Sequence, residues 1–292
     1  MNGLKLTGLK TAVIAAFVVC MVMVCGCLGS DSSSGNNPLS EKESIETLSV
    51  TGSTTVLPVG QAVAEEFMRI NQNADIQLSG GGSSVGVQAV GEGTADIGMA
   101  SRELKDSEKE KYQNLVQHVV AKDGIALIVS NENSISEITL DSVKKIYKGE
   151  ITNWKELGGS DMAVVVVGRD SSSGTREFFA EKIMGDDDFV STQLEKNSNG
   201  AVLQTIKQTP GGIGYISMGY LDENVKALKI NENGAVIEPT TENVLNGRYP
   251  VARGLNMFTN GEPQGLAKEY LNFLLGESGQ AIVVKEGYVS VI

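Results

Sequence analysis

Apolar and polar positions recur along most of the chain with two alternating periods, and the switches between them mark the expected elements. Ile45–Gly52, IETLSVTG, alternates with period two and predicts a strand. In VLPVGQAVAEEFMRI (residues 56–70), Val59, Ala62, Val63 and Phe67 share one helical face and Pro58 suits a first turn. DIQLSGGG reads as a second strand running into glycines, SSVGVQAVGEG as a short helix and ADIGMAS as a third strand. GIALIVS (124–130) has the unbroken apolar character of a buried strand, and Leu140, Val143, Ile146 and Tyr147 put a helical stripe on LDSVKKIYKGE. AVVVVG (163–168) is another buried strand, followed by a helix, SGTREFFAEKIM, with Phe178, Phe179 and Ile183 expected to face the core. The pattern continues with a helix NGAVLQTIKQ capped by Asn199, a strand GIGYISMGY and a strand-like GRYPVARGLNMFTN (247–260). Two helices, GLAKEYLNFLL and ESGQAIVVKEG, and a short final strand YVSVI close it. Strands alternating with helices predict an α/β protein with a largely parallel sheet.

The N-terminus departs from this pattern. Lys5 and Lys10 precede an almost wholly apolar run, residues 11–24, shorter than the roughly 20 residues of a bilayer-spanning helix. The run ends in VCGC, a small residue directly before Cys27, as in a lipobox. Residues 1–26 are therefore expected to be a lipoprotein signal peptide, with Cys27 the lipid-carrying first residue. The alternative is an ordinary signal peptide or anchor with an incidental cysteine. Residues 27–48, beginning LGSDSSSGNN after the cysteine, are expected to be a polar tether.

Composition narrows the chemistry. The formal net charge of −12 argues against a nucleic-acid partner, which demands a basic footprint. A small anion remains compatible, because local N–H dipoles and one or two cations can hold it whatever the global charge. All three cysteines, Cys20, Cys25 and Cys27, lie in the leader, so the body has no disulfide and no cysteine metal site. The single histidine, His118, cannot build a multi-histidine metal site and is read as structural. The acidic run Asp186, Asp187, Asp188 is read as a solvated loop. No cofactor or metal is expected.

One local pattern occurs three times: a strand ends, glycines and hydroxyls follow, and a helix begins. The instances are TGSTT (51–55), SGGGSS (79–84) and RDSSSGT (169–175). Backbone N–H groups at a helix N-terminus lack intrahelical acceptors, glycines admit close approach, and hydroxyls add donors. Any one instance alone is better read as a plain N-cap. Three together, one beside Arg169 with its planar donor fork, point to a small oxyanion held at the carboxyl ends of the strands.

The ordered set GSTTVLP, GGGSSVG, ADIGMASRE, IYKGEITNW, GRDSSSGTREFF and GIGYISMGYL resembles the phosphate-binding proteins of Pst-type ABC importers, from about Ser49 to Ile292. The resemblance implies a periplasmic-binding-protein type II fold, two α/β lobes joined by two crossover strands with phosphate in the cleft. The lobes are expected at 49–127 plus 229–292 and at 128–228, with crossovers near IALIVS and VKALKIN. Carried over position by position, it places phosphate against Thr54 and Thr55, with Ser53 close by, against Ser83, and against Arg169, Ser173, Gly174 and Thr175. Longer relatives carry an aspartate that accepts a hydrogen bond from protonated phosphate; Ser101 stands at that position here, with Asp96, Asp170 and Glu103 as other acceptor candidates. Sulfate, molybdate and tungstate are the alternative guests. The implied protein is a monomeric cell-surface or periplasmic lipoprotein, anchored through Cys27, that delivers inorganic phosphate to a membrane ABC permease and catalyses nothing. The rivals are a phosphate-ester hydrolase using Ser173 or Thr175 as nucleophile, and a surface lipoprotein that has lost its ligand.

Overall fold

The computed structural model describes residues 44–292; the leader, Cys27 and most of the tether lie outside the described residues. The first strand begins at Glu46, inside the span read as tether. The first half of the chain comprises β1 (Glu46–Gly52), α1 (Leu57–Ile70), β2 (Ala74–Gly80), α2 (Ser83–Gly91), β3 (Ile97–Ala100), α3 (Asp106–Lys111) and β4 (Leu115–Ser130). Next come β5 (Glu137–Ile138), α4 (Leu140–Lys148), β6 (Val165–Arg169), α5 (Gly174–Phe179), β7 (Leu194–Lys196), α6 (Asn199–Lys207) and β8 (Gly212–Ser217). The chain closes with β9 (Val225–Ala227), β10 (Lys229–Glu232), β11 (Ala235–Ile237), α7 (Thr241–Leu245), β12 (Ala252–Asn260), α8 (Gly265–Leu275) and α9 (Glu277–Lys285). No helix among the described residues is long and apolar enough to cross a membrane.

The large sheet runs β2-β1-β3-β12-β4-β8-β6-β7, with β9 also on β4. Its flanks are parallel: β1 pairs with β2 and β3, and β6 with β7 and β8. Its centre is antiparallel, because β12 runs against β3 and β4, and β4 against β8. This corrects the expectation of a largely parallel sheet. An apolar run buried on both faces looks the same whichever way its neighbour runs.

The 16-residue β4 joins two apolar cores. Its first part, Leu115–Gly124, pairs with β12; Ile125–Val129 then pairs with β8. Val120 and Ala121 pack with Leu48, Val50, Val63, Phe67, Met257 and Tyr270 in the first core. There Phe67 meets Tyr270 and Phe273 edge-on at 6.1 and 5.5 Å, seating α1 on α8. Ile125–Val129 packs with Tyr147, Trp154, Val167, Phe179, Ile206 and Tyr215 in the second. Ile230, Val244, Tyr249 and Val251 also belong to the second core. Residues 229–251 therefore pack away from the lobe expected for them, and the chain returns to the first core at the start of β12.

Three local readings are corrected. The cap of α6 is Ser198, whose hydroxyl accepts from Ala201 N; Asn199 is inside the helix. The helix opened by Gly174 turns into a π-helical stretch at Ala180–Met184. YVSVI forms only an isolated bridge, Val289 to Lys122, rather than a strand.

Candidate functional site: an anion cage

Each hydroxyl turn is shaped by its own chain. β1 ends at Gly52, with φ of 134°. A Cβ there would stand 2.3 Å from Met99 O, so only glycine lets β1 and β3 approach so closely. Ser53 N donates to Met99 O at 2.9 Å, and Ser53 Oγ accepts from Thr55 N at 3.2 Å. That small side-chain turn lifts Thr54 and Thr55 off the strand end. At the end of β6, Asp170 Oδ1 accepts from Ser172 N and Oγ at 3.0 and 2.7 Å. Ser173 then caps α5 by accepting from Arg176 N at 3.2 Å.

The three turns meet. Thr55 Oγ1 and Thr175 Oγ1 stand 3.2 Å apart. Ser83 Oγ accepts from Ser101 N at 3.0 Å and lies 3.4 Å from Ser101 Oγ. Gly174 sits so close to Ser83 that a Cβ on it would be 2.2 Å from Ser83 Oγ. Thr54 Oγ1 accepts from Arg169 Nη2 at 3.3 Å. Thr55, Ser83, Ser101, Arg169, Ser173 and Thr175 are each 1% exposed, Gly174 is buried and Thr54 half-buried. Every site position expected in the body of the chain is thus brought to one place.

Arg169 is held firmly but left incomplete. Its backbone N donates to Tyr215 Oη at 3.2 Å, and Tyr215 stacks on Phe179 at 4.0 Å between ring centres. Nε donates to Lys196 O at 3.2 Å and Nη2 to Asn197 O at 3.3 Å. Nη1 is buried with no partner, and no carboxylate among the described residues forms an ion pair with this guanidinium. Burial pushes its pKa down from the ordinary arginine range to about 10. A buried cation with an idle donor is costly, and an anion beside it removes that cost.

Several contributors were not read as site residues from the sequence. Asn199 is fully buried; its Nδ2 donates to Thr55 Oγ1 at 2.9 Å, and its Oδ1 accepts from Ser217 N at 3.1 Å. Tyr220 Oη donates to Thr54 O at 2.6 Å. Arg253 and Asp123, directly opposite in the β12–β4 register, form a buried ion pair at 2.9 Å. Burial raises the pKa of Asp123 and lowers that of Arg253, each shift opposed by the partner's charge. An isolated aspartate and an isolated arginine in two strands carry no local signal; they acquire meaning only when those strands pair.

A second set of contacts closes the rim. Glu177 on α5 pairs with Arg102, with Lys105 Nζ at 2.6 Å, and accepts from Ser84 Oγ at 3.3 Å. Arg102 is also held by Glu108 at 2.7 Å. Ser172 Oγ, whose single hydrogen is shared with Asp170, also reaches Gly81 O at 3.0 Å, and Ser84 N donates to Ser172 O at 3.2 Å. The walls that carry α2 and α5 are therefore in direct contact.

The candidate acceptors other than Ser101 are engaged. Asp96 takes Ser49 N and Oγ at 2.8 and 2.7 Å, Glu103 takes Gln117 Nε2 at 2.7 Å, and Asp170 holds its own turn. His118 Nε2 lies 3.0 Å from Thr259 Oγ1 on the β4–β12 ladder, and burial lowers its pKa. No cluster of three or more histidine, cysteine or acidic side chains suited to a metal occurs among the described residues. The site offers hydroxyls, one idle guanidinium nitrogen and compensated ion pairs, which is the equipment for holding a small oxyanion.

Comparison with known proteins gives the same picture. The profile of a family described as PBP superfamily domain matches residues 37–278. The phosphate-binding protein PstS of Bacillus subtilis is 37% identical over 281 residues, covering 95% of this chain and 92% of its own length. The phosphate-binding protein PstS of Pseudomonas aeruginosa is 34% identical over 265 residues, 83% of this chain and 82% of its own. A crystal structure from Clostridium perfringens, assigned as a phosphate ABC transporter substrate-binding protein with bound phosphate, matches with a TM-score of 0.80 at 38% identity. It covers 85% of this chain and 100% of that one. An ABC-type phosphate transport receptor from Vibrio cholerae matches with a TM-score of 0.69 at 32% identity, covering 83% and 99%.

Proposed function

The chain belongs to the Pst-type family of phosphate-binding proteins, and from that membership we propose that it captures inorganic phosphate outside the cytoplasm and delivers it to an ABC permease. The observation that carries the reading is Arg169: a guanidinium 1% exposed, without a counter-ion, with Nη2 on Thr54 Oγ1 and Nη1 idle. A tetrahedral oxyanion supplies the missing charge and the missing acceptor at once. Thr54, Thr55, Ser83, Ser101, Ser173, Gly174 and Thr175 are the donors proposed to surround it, with Ser101 also able to accept from protonated phosphate.

The fold is of the periplasmic-binding-protein type II class, and capture proceeds by closure of its two lobes. The packing supports lobes at about 44–124 plus 252–292 and at 125–251, meeting at the Gly124/Ile125 and Val251/Ala252 crossovers. The protein is proposed to act as a monomer, held at the membrane by a lipid on Cys27. Binding rather than turnover is favoured because the Ser173 hydroxyl serves as a helix cap and the histidine is tied to Thr259. Titration calorimetry of the purified body with phosphate, and separately with sulfate, tests the reading. Saturable phosphate binding is expected; none at millimolar phosphate would refute it.

A further inference from the structure

Arg253 has a role in the cage that its ion pair alone does not explain. It is the second residue of β12, directly opposite Asp123 in β4, at the place where β4 changes partner from β12 to β8. Its side chain is 1% exposed and that of Asp123 is 0%. Nε and Nη2 donate to Asp123 Oδ2 at 3.2 and 2.9 Å. Nη1 donates to Ser101 O at 3.0 Å. Nη2 also reaches Thr175 Oγ1 at 3.1 Å and Thr55 Oγ1 at 3.4 Å. Asp123 is itself fixed, since Oδ1 accepts from Ser217 Oγ at 2.8 Å and Met218 N at 3.3 Å. One guanidinium thus joins the strand crossover to a residue from each wall of the cage.

These contacts decide which way the hydroxyls point. A hydroxyl has one hydrogen and two acceptor positions. Thr55 Oγ1 accepts from Asn199 Nδ2 at 2.9 Å, and the Arg253 Nη2 hydrogen not given to Asp123 is shared between Thr175 Oγ1 at 3.1 Å and Thr55 Oγ1 at 3.4 Å, which together occupy the acceptor side of Thr55. Its hydrogen can go only to Thr175 Oγ1 or to a guest. Thr175 Oγ1, accepting from Arg253, has its own hydrogen left for the guest. Arg253 has spent its named contacts on protein acceptors, whereas Arg169 Nη1 has spent none.

We propose that Arg253 is a positioning residue for anion capture: anchored on Asp123, it fills the acceptor sides of Thr55 and Thr175 and so turns both hydroxyls into donors aimed at the bound oxyanion. This rests on the phosphate reading above and extends it to a residue outside the three turns.

The test titrates wild type and variants with inorganic phosphate in parallel. Arg253→Lys keeps a cation beside Asp123 but loses the planar fork that spans both hydroxyls. It should bind phosphate at least tenfold more weakly, while the empty protein unfolds near the wild-type temperature. A double-mutant cycle supplies the readout that a purely structural role would not move. Thr175→Val should weaken binding strongly in the wild type and less than threefold in Arg253→Lys, because the misdirected hydroxyl is already of little use. Asp123→Leu combined with Arg253→Met removes both buried charges together, an exchange that folded proteins often tolerate; it should also lose at least tenfold. Wild-type affinity in either Arg253 variant, or fully multiplicative losses in the cycle, would overturn the proposal while leaving phosphate capture standing. Absence of binding by the wild type would instead strike the phosphate reading itself.

Discussion

Replacing Arg169 by methionine separates binding from folding. In the empty protein the guanidinium is buried without a counter-ion, and its pKa is pushed down to about 10. At about 1.4 kcal/mol per decade, that displacement from the ordinary range corresponds to a burial cost of ~3 kcal/mol. The folded value lies below the unfolded one, so this cost is fully present below about pH 10. It is relieved only as the pH climbs from there toward the unfolded value, and hence weighs equally at pH 6 and pH 8. Methionine removes the cost but forfeits the hydrogen bonds to Lys196 O, Asn197 O and Thr54 Oγ1, about 1 kcal/mol each. The terms nearly cancel, so the empty variant should melt within about 5 °C of wild type. Binding should not survive: two charge-assisted bonds to the anion, about 1.5–3 kcal/mol each, correspond to a loss of roughly 10²- to 10⁴-fold in Kd. Differential scanning calorimetry with and without phosphate reads both quantities, since ligand at a thousand times Kd should add ~4 kcal/mol to wild type and little to the variant. A variant that binds within tenfold of wild type, or an empty variant destabilised by more than about 5 kcal/mol, would refute the reasoning.

The other expectations are equally direct. Gly174→Ala puts a Cβ 2.2 Å from Ser83 Oγ, so the two walls should be forced apart and phosphate affinity should fall at least tenfold by calorimetry. Glu177→Gln, which removes the charge facing Arg102 and Lys105, should cost about 1–2 kcal/mol of closed-state stability. Stopped-flow release of phosphate should accelerate accordingly, and should depend less on salt than in wild type. Cys27→Ala should abolish incorporation of labelled fatty acid by the expressed full chain; retained label would remove the anchor from the proposal.

What could be read ahead of the structure was whatever is local. The span of α8, the strand at Glu46–Gly52 and the three hydroxyl turns all follow from neighbours in sequence, although of these turns only the one at α5 has a hydroxyl, that of Ser173, capping its helix. Strand direction was not local: β12 runs against β3 and β4, which an apolar run cannot announce. Asn199 was misread because asparagine is a favoured cap. Here Ser198 takes that task, and Asn199 is free to bind Thr55. The return to the first core was placed too early because VKALKIN looks like a crossover strand, yet Ile230 and the segment through Val251 stay with the second core. Asp123 and Arg253 needed the β4–β12 register before either could be recognised.

Glu177 stands on the same short helix as Gly174 and Thr175, so the rim seam and the hydroxyl wall are parts of one rigid body. On the proposed closure, this helix would act as a lever with the paired crossover strands as its fulcrum. A permease that competes for Lys105 or Glu177 at the outside edge would tilt Thr175 away from Thr55 without touching the cargo. Unloading at the membrane then becomes a matter of prising a lip, and the tightness of the grip need not limit how quickly the cargo is surrendered.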